Sequence, residues 1–97
     1  MASTIAVTLR ARLQTLDITD YLNARSPAAA SRFTEWLSKA YRQLSEFPLS
    51  GGRSVAGTRR LIVIPYVLTY RVAGDTVEVL DIRHGRQRPP TMPEEEV

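Results

Sequence analysis

The spacing of apolar residues changes twice along the chain, from two to about 3.6 and back to two, and each change marks a boundary between elements. Ile5 to Leu9 alternates and predicts a short first strand. From about Arg10 to Ala24 there is neither glycine nor proline. Over that stretch Ala11, Ile18, Tyr21 and Leu22 fall on one side of a helix, the side expected to face a core. Leu9, Leu13 and Leu16 also keep helical spacing but project to roughly the opposite side. Either this helix is sandwiched, its second stripe beneath a loop or terminus, or a partner covers Leu13 and Leu16.

Ser26-Pro27 reads as a helix start: a hydroxyl to cap the first free N–H groups, then proline where its missing N–H costs nothing. From there Ala30, Phe33, Trp36, Leu37, Ala40, Tyr41, Leu44 and Phe47 recur at threes and fours, while Arg32, Glu35, Lys39, Arg42 and Gln43 take the other side. Pro48 and Gly51-Gly52 terminate the pattern. Burying Phe33, Trp36 and Leu37 stabilises a fold by about 1.5 to 3 kcal/mol each, which fits a core role better than a ligand-stacking one. Two helices joined by so short a link form an antiparallel hairpin.

Beyond a Gly- and Ser-containing loop, β-branched residues and a period of two take over. Strands are expected over Arg59 to Ile64, Tyr66 to Ala73 and Thr76 to His84, with Pro65 at one corner and Gly74-Asp75 as a tight turn at the other. The order is therefore β-α-α-β-β-β, an α+β fold whose helical hairpin covers one face of a mostly antiparallel sheet. The 97-residue length suits a single domain, expected over residues 1–88. Residues 89–97, with three prolines and Glu94-Glu95-Glu96, have little to bury and are expected to be a flexible tail, either a soluble extension or an intramolecular screen.

Charge sharpens this picture. The net charge is +3, and because the tail holds three glutamates and no base, the preceding residues carry +6. Every basic residue except Lys39 is arginine. Arginine's planar fork suits phosphates and carboxylates, so the bias fits geometric anion recognition; it equally fits compositional drift in a GC-rich genome. The absence of cysteine excludes disulfides, thiolate metal sites and a cysteine nucleophile, and a single histidine argues against a metal site; no cofactor is expected. The longest uncharged stretch before the tail, Leu61 to Tyr70, is ten residues, short of the roughly 20 that span a bilayer. With no basic start and long apolar run in the first nine residues, a cytoplasmic location is expected.

Gly51-Gly52 has neither the spacing nor the lysine of a phosphate-binding loop. The densest functional set is Arg83, His84, Gly85, Arg86 and Arg88. There His84 could act as general acid or base while the neighbouring guanidiniums hold and neutralise a phosphate; a histidine at a strand end is more often a hydrogen-bonded structural residue. Arg59 and Arg60 must point to opposite faces, so at most one joins any given patch. Arg71 can join that patch or pair with Glu78 or Asp81 across the hairpin.

Several ordered motifs, covering residues 5 to 88, resemble the RelE/ParE toxin superfamily. They are Ile18-x-x-Tyr21-Leu22, Ser26-Pro27-Ala28-Ala29-Ala30, Leu44-Ser45-Glu46-Phe47-Pro48-Leu49-Ser50-Gly51, Arg59-Arg60-Leu61-Ile62-Val63, Tyr66-Val67-Leu68-Thr69-Tyr70-Arg71-Val72 and Val79-Leu80-Asp81-Ile82-Arg83-His84-Gly85-Arg86. The resemblance implies the toxic half of a type II toxin–antitoxin module, neutralised by a small antitoxin that wraps it. The ribonuclease branch, which cleaves mRNA on the ribosome, carries lysines on the meander, an arginine after the aromatic residue of its second strand and a tyrosine near the C-terminus. Here Val67 follows Tyr66, Lys39 lies in a helix and no tyrosine follows Tyr70. The ParE-like branch, whose characterised members inhibit DNA gyrase, is the closer resemblance, through Tyr-x-x-x-Tyr-Arg-Val and His-Gly-Arg. It implies a binding surface built from Arg59, Arg60, Arg71, Arg83, Arg86 and Arg88, with Leu13 and Leu16 toward the antitoxin. The alternative is a ribosome-dependent mRNA endonuclease using His84 and Arg86.

Overall fold

The computed structural model describes residues 2–63 and 65–85. Arg86, Arg88 and the tail expected over 89–97 lie outside the described residues. Strand β1 (Thr4–Val7) leads into α1 (Leu9–Arg25) and α2 (Pro27–Glu46), followed by β2 (Gly52–Arg53), a 3-10 turn (Val55–Gly57), β3 (Arg59–Val63), β4 (Tyr66–Ala73) and β5 (Thr76–His84). The five strands lie in the order β1-β5-β4-β3-β2. Only the β1–β5 pair is parallel; the rest of the sheet is antiparallel. The α+β architecture with a helical hairpin on a mostly antiparallel sheet is the one the periodicities predict.

Local chemistry sets the boundaries. Thr8 ends β1 earlier than the alternating stretch suggests, because its hydroxyl accepts from the Ala11 N–H at 3.2 Å and so caps α1, making Leu9 the first helical residue. The same hydroxyl donates to the Val79 carbonyl at 2.9 Å, tying the helix start to β5. Ser26 caps α2 by accepting from the Ala29 N–H, with Pro27 as its first residue. Gly74, at φ +59°, supplies the left-handed conformation for the two-residue β4–β5 turn, across which Ala73 and Thr76 pair.

The core lies between α2 and the sheet: Phe33, Leu37, Ala40 and Leu44 meet Leu61, Leu68, Tyr70, Val77, Val79 and Ile82, with Ala11 as the buried contact of α1. Two residues assigned to apolar faces lie elsewhere. Tyr21 is exposed, its ring covered by the Arg25 guanidinium at 4.5 Å from the centroid rather than by the sheet. Phe47 is exposed because it caps α2 where the chain turns into Pro48.

The β2 strand, which the sequence pattern did not reveal, is held by a clasp. The buried Tyr70 hydroxyl donates to the Pro48 carbonyl at 2.8 Å and accepts from the Gly51 N–H at 2.9 Å. A Cβ on residue 51 would lie 2.6 Å from the Tyr70 oxygen and 2.7 Å from the Arg60 carbonyl, so only glycine fits. Tyr70→Phe leaves that N–H and carbonyl without their partner and is expected to cost about 1–3 kcal/mol in urea unfolding. Gly51→Ala is expected to lose a similar amount by overpacking, about 1–3 kcal/mol, and the double variant less than the sum, because both disrupt one contact.

Candidate functional site

Strand alternation sorts the candidate residues onto two faces. Directly paired residues in a sheet project to the same side. Tyr66 pairs with His84 and Leu68 with Ile82, on the side covered by the helices. Val67 pairs with Arg83, Thr69 with Asp81 and Arg71 with Glu78, on the other side; on β3, Arg60 pairs with Thr69 and Ile62 with Val67. Arg60, Arg71 and Arg83 thus come from three successive strands onto the face turned away from the core, where Val67, Thr69, Asp81 and Arg83 are themselves buried.

Arg59 projects the other way and donates to the carbonyls of Leu49 at 3.3 Å and Gly51 at 2.9 Å, holding the loop after α2 against the sheet. Arg60 donates from Nε to the Ser54 hydroxyl at 2.8 Å. Arg71 and Glu78 form an exposed ion pair at 2.8 Å, one of the two pairings open to Arg71 from the sequence. Arg83 is buried rather than presented at an exposed strand end, with Nε 3.7 Å from Asp81.

Asp81 anchors a polar network with no signature in the sequence, because its α1 members, Arg10 and Gln14, lie more than sixty residues from it. A bulge at Leu80 shifts the register between Tyr70–Val79 and Thr69–Asp81. The carboxylate of Asp81, fully buried, accepts from Gln14 Nε2 at 2.6 Å and lies 3.3 Å from Arg10. The other end of the Gln14 amide accepts from the Ile82 N–H at 3.0 Å. Gln14 therefore continues, from a helix, the hydrogen bonding of β5 where β1 stops.

The imidazole of His84 lies on the helix side, edge-on to Tyr66 with ring centroids 5.7 Å apart. Tyr66 in turn packs on Phe33 at 4.8 Å and Trp36 at 5.3 Å. Burial pushes the Tyr66 phenol above its ordinary value of 10.0, so at neutral pH it is not a phenolate base. His84 and Arg83 are adjacent in sequence and on opposite faces of the sheet. Among the described residues, no group of three His, Cys, Asp or Glu side chains could hold a metal ion, and no helix is long and apolar enough to cross a membrane.

The exposed apolar residues fall into two groups. Leu9, Leu13 and Leu16 form an outward stripe on α1, with Leu13 and Leu16 52% and 59% exposed. Phe47, Leu49, Val55 and Ile62 form the second group, around the loop after α2 and the β2–β3 edge.

Removing one member of a buried charge pair strands the other. Asp81→Ala is therefore expected to cost about 3–5 kcal/mol in urea unfolding. Arg71→Ala, which breaks the exposed pair with Glu78, is expected to cost no more than about 1 kcal/mol.

Comparison with known proteins places this geometry. The family described as "ParE toxin of type II toxin-antitoxin system, parDE" matches residues 5–89. Toxin RelE2 of Caulobacter vibrioides is 40% identical over 79 residues, covering 80% of this chain and 90% of its own. Toxin RelE1 of the same organism is 39% identical, covering 91% and 99%. Among solved structures, the chromosomal ParDE system of P. aeruginosa aligns with TM-score 0.71 at 21% identity, covering 86% of this chain and 96% of that one. The toxin–antitoxin complex RelBE2 of Mycobacterium tuberculosis aligns with TM-score 0.61 at 27% identity, covering 87% and 99%. A match over nearly the whole described domain, in both sequence and fold, makes this chain a member of the RelE/ParE superfamily, the toxins of type II toxin–antitoxin systems.

Proposed function

We propose that this toxin acts as a binding protein in the manner of the ParE branch, holding DNA gyrase through arginines on the face of its sheet turned away from the core until a cognate antitoxin masks them. The observation that supports this reading is the separation of His84 from Arg60, Arg71 and Arg83. Cleavage of RNA by its own 2′-hydroxyl needs a base and a phosphate-binding group converging on one reacting centre. Here the imidazole sits against Tyr66 on the helix side, while Arg60, Arg71 and Arg83 lie on the other face. An inhibitor needs only the surface. Arg86 and Arg88, which follow His84 closely in the sequence, belong to the proposed surface but lie outside the described residues. The names of the Caulobacter relatives keep the mRNA endonuclease as the competing reading.

The antitoxin is assigned to the α1 stripe. Three leucines exposed at helical spacing form an apolar strip that an amphipathic segment can cover. Their exposure also means that replacing them leaves the core intact. Leu13→Asp with Leu16→Asp is expected to unfold at the parent's urea concentration and to weaken neutralisation in a co-expression growth assay; unfolding of the double variant would place these leucines in the core instead.

Incubation of the purified toxin with gyrase, ATP and supercoiled plasmid, followed by protein digestion, is expected to yield linear DNA. His84→Ala is expected to retain that activity, and Arg60→Glu combined with Arg71→Glu to lose it while staying folded. Cleaved mRNA in a translating ribosome extract, reduced about 100-fold or more by His84→Ala with no linear plasmid from the parent, would establish the endonuclease in its place.

A further inference from the structure

The two edges of the sheet are finished differently. On the β1 side, Thr8 and Gln14 take over the β5 backbone where β1 stops. On the other side, β2 pairs only with Arg59 and Arg60. The Ser54 N–H donates to the Thr58 carbonyl at 2.9 Å, and antiparallel partners two positions apart are of one kind, so Gly52 and Arg60 exchange hydrogen bonds. Ile62, two residues further on, therefore turns its N–H and C=O outward. The chain that would have paired with it has turned away, for the Ser50 N–H donates to the Phe47 carbonyl. A shallow groove runs along this edge, lined by residues 50–55 and 60–62. Arg53 and Arg60 are its charges and no carboxylate lines it. Neither arginine forms an ion pair among the described residues. Ile62, 60% exposed, and Val55 are its apolar part.

We propose that this groove is the docking site for the chain's own Glu94–Val97 segment, which adds to the open edge of β3 and, because Arg53 and Arg60 project to opposite faces, places successive carboxylates of the strand on one and the other. Reach permits it. The described chain stops at Gly85, whose N–H donates to the Pro65 carbonyl beside the end of β3. From Pro65 back to Arg60 is about 17 Å at the strand rise of about 3.3 Å per residue. The nine residues from Gly85 to Glu94, which include three prolines, span up to about 28 Å at about 3.1 Å each in polyproline geometry. Charge selects this segment. Glu94-Glu95-Glu96 is the one run of three acidic residues in the sequence and is followed by an apolar Val97. A second copy of the chain paired at the same edge would instead bring Arg53 and Arg60 against their own counterparts. Individual exposed ion pairs are weak, but tethering by a linker this short supplies an effective concentration in the millimolar range. The inference does not depend on the cellular target; where Arg60 also meets that target, the segment competes for it.

The absence of cysteine allows a single nitroxide to be attached through Val97→Cys in the otherwise full chain. The expected result is loss of amide signal at residues 53–55 and 60–62. That signal should be restored by Glu94, Glu95 and Glu96 all changed to Gln, by Arg53→Gln, and by about 1 M salt, where the Debye length falls to about 3 Å. Arg53 is exposed, so its replacement leaves the fold intact. Three results would overturn the proposal. One is signal loss centred on other basic surfaces such as Arg32 and Arg42 of α2. Another is loss unaffected by the Gln substitutions. The third is loss seen only between a spin-labelled and a separately isotope-labelled molecule, which marks a second copy.

Discussion

The structure depends on one commitment: α2 takes a single face of the sheet, and the two-residue period of the strands, shifted once by the bulge at Leu80, then decides which side each described residue of β3, β4 and β5 faces. Phe33, Leu37, Ala40 and Leu44 fix which face that is, because they can be buried only against Leu61, Leu68, Tyr70, Val77, Val79 and Ile82. Neighbouring residues on a strand are therefore sent to opposite environments. Arg59 closes a loop on the helix side while Arg60 faces away, and Arg83 faces away while His84 joins the aromatic cluster of Phe33, Trp36 and Tyr66. A run such as Arg83-His84 looks like a constellation in one dimension and is divided by the sheet in three.

Much of this was legible in the sequence, and the part that was not has an identifiable cause. The α2 helix, its Ser26-Pro27 start and both ends of β4 and β5 follow from local rules, namely apolar period, capping chemistry and a glycine at a two-residue turn. The opposite directions of Arg59 and Arg60 and the Arg71–Glu78 pair are local in the same sense, since adjacent positions and a hairpin of known register bring them about. Elements fixed by tertiary partners were not legible. Two-residue β2 has no periodicity to detect and exists because Tyr70 clasps Pro48 and Gly51. The premature end of β1 depends on Thr8 finding Val79 seventy-one residues away. Tyr21 kept helical spacing with the core residues, yet its ring is satisfied by Arg25 one turn later.

The network around Asp81 shows how the sheet absorbs a charge that the strand pattern would have placed in an apolar setting. The bulge at Leu80 gives β5 one extra residue, so the inward positions change from Val77 and Val79 to Ile82 and His84. Without that shift an odd-numbered inward series would continue through Asp81 and Arg83, and two charges would enter the core. With it, Ile82 fills the core and Asp81 meets Arg10, Gln14 and Arg83 where α1 crosses the strand. The same register change carries Arg83 onto the face turned away from the core. One inserted residue thus sets both the integrity of the core and the membership of the arginine surface.

That dependence limits what each arginine can be asked to do. A target-binding group must be free to change partners, and Arg60, Arg71 and Arg83 differ in that respect. Arg83 is buried beside Asp81, so the charge it contributes is fixed in place by the fold. Arg71 shares its charge with Glu78 in an exposed pair, which water and salt weaken. Arg60 donates from Nε to Ser54 and lines the groove along the β2–β3 edge, where no described carboxylate competes. Arg60, beside the open edge, is therefore the one of these three arginines whose charge is most available to an incoming anion, whether that anion arrives on a target, on a partner or on this chain.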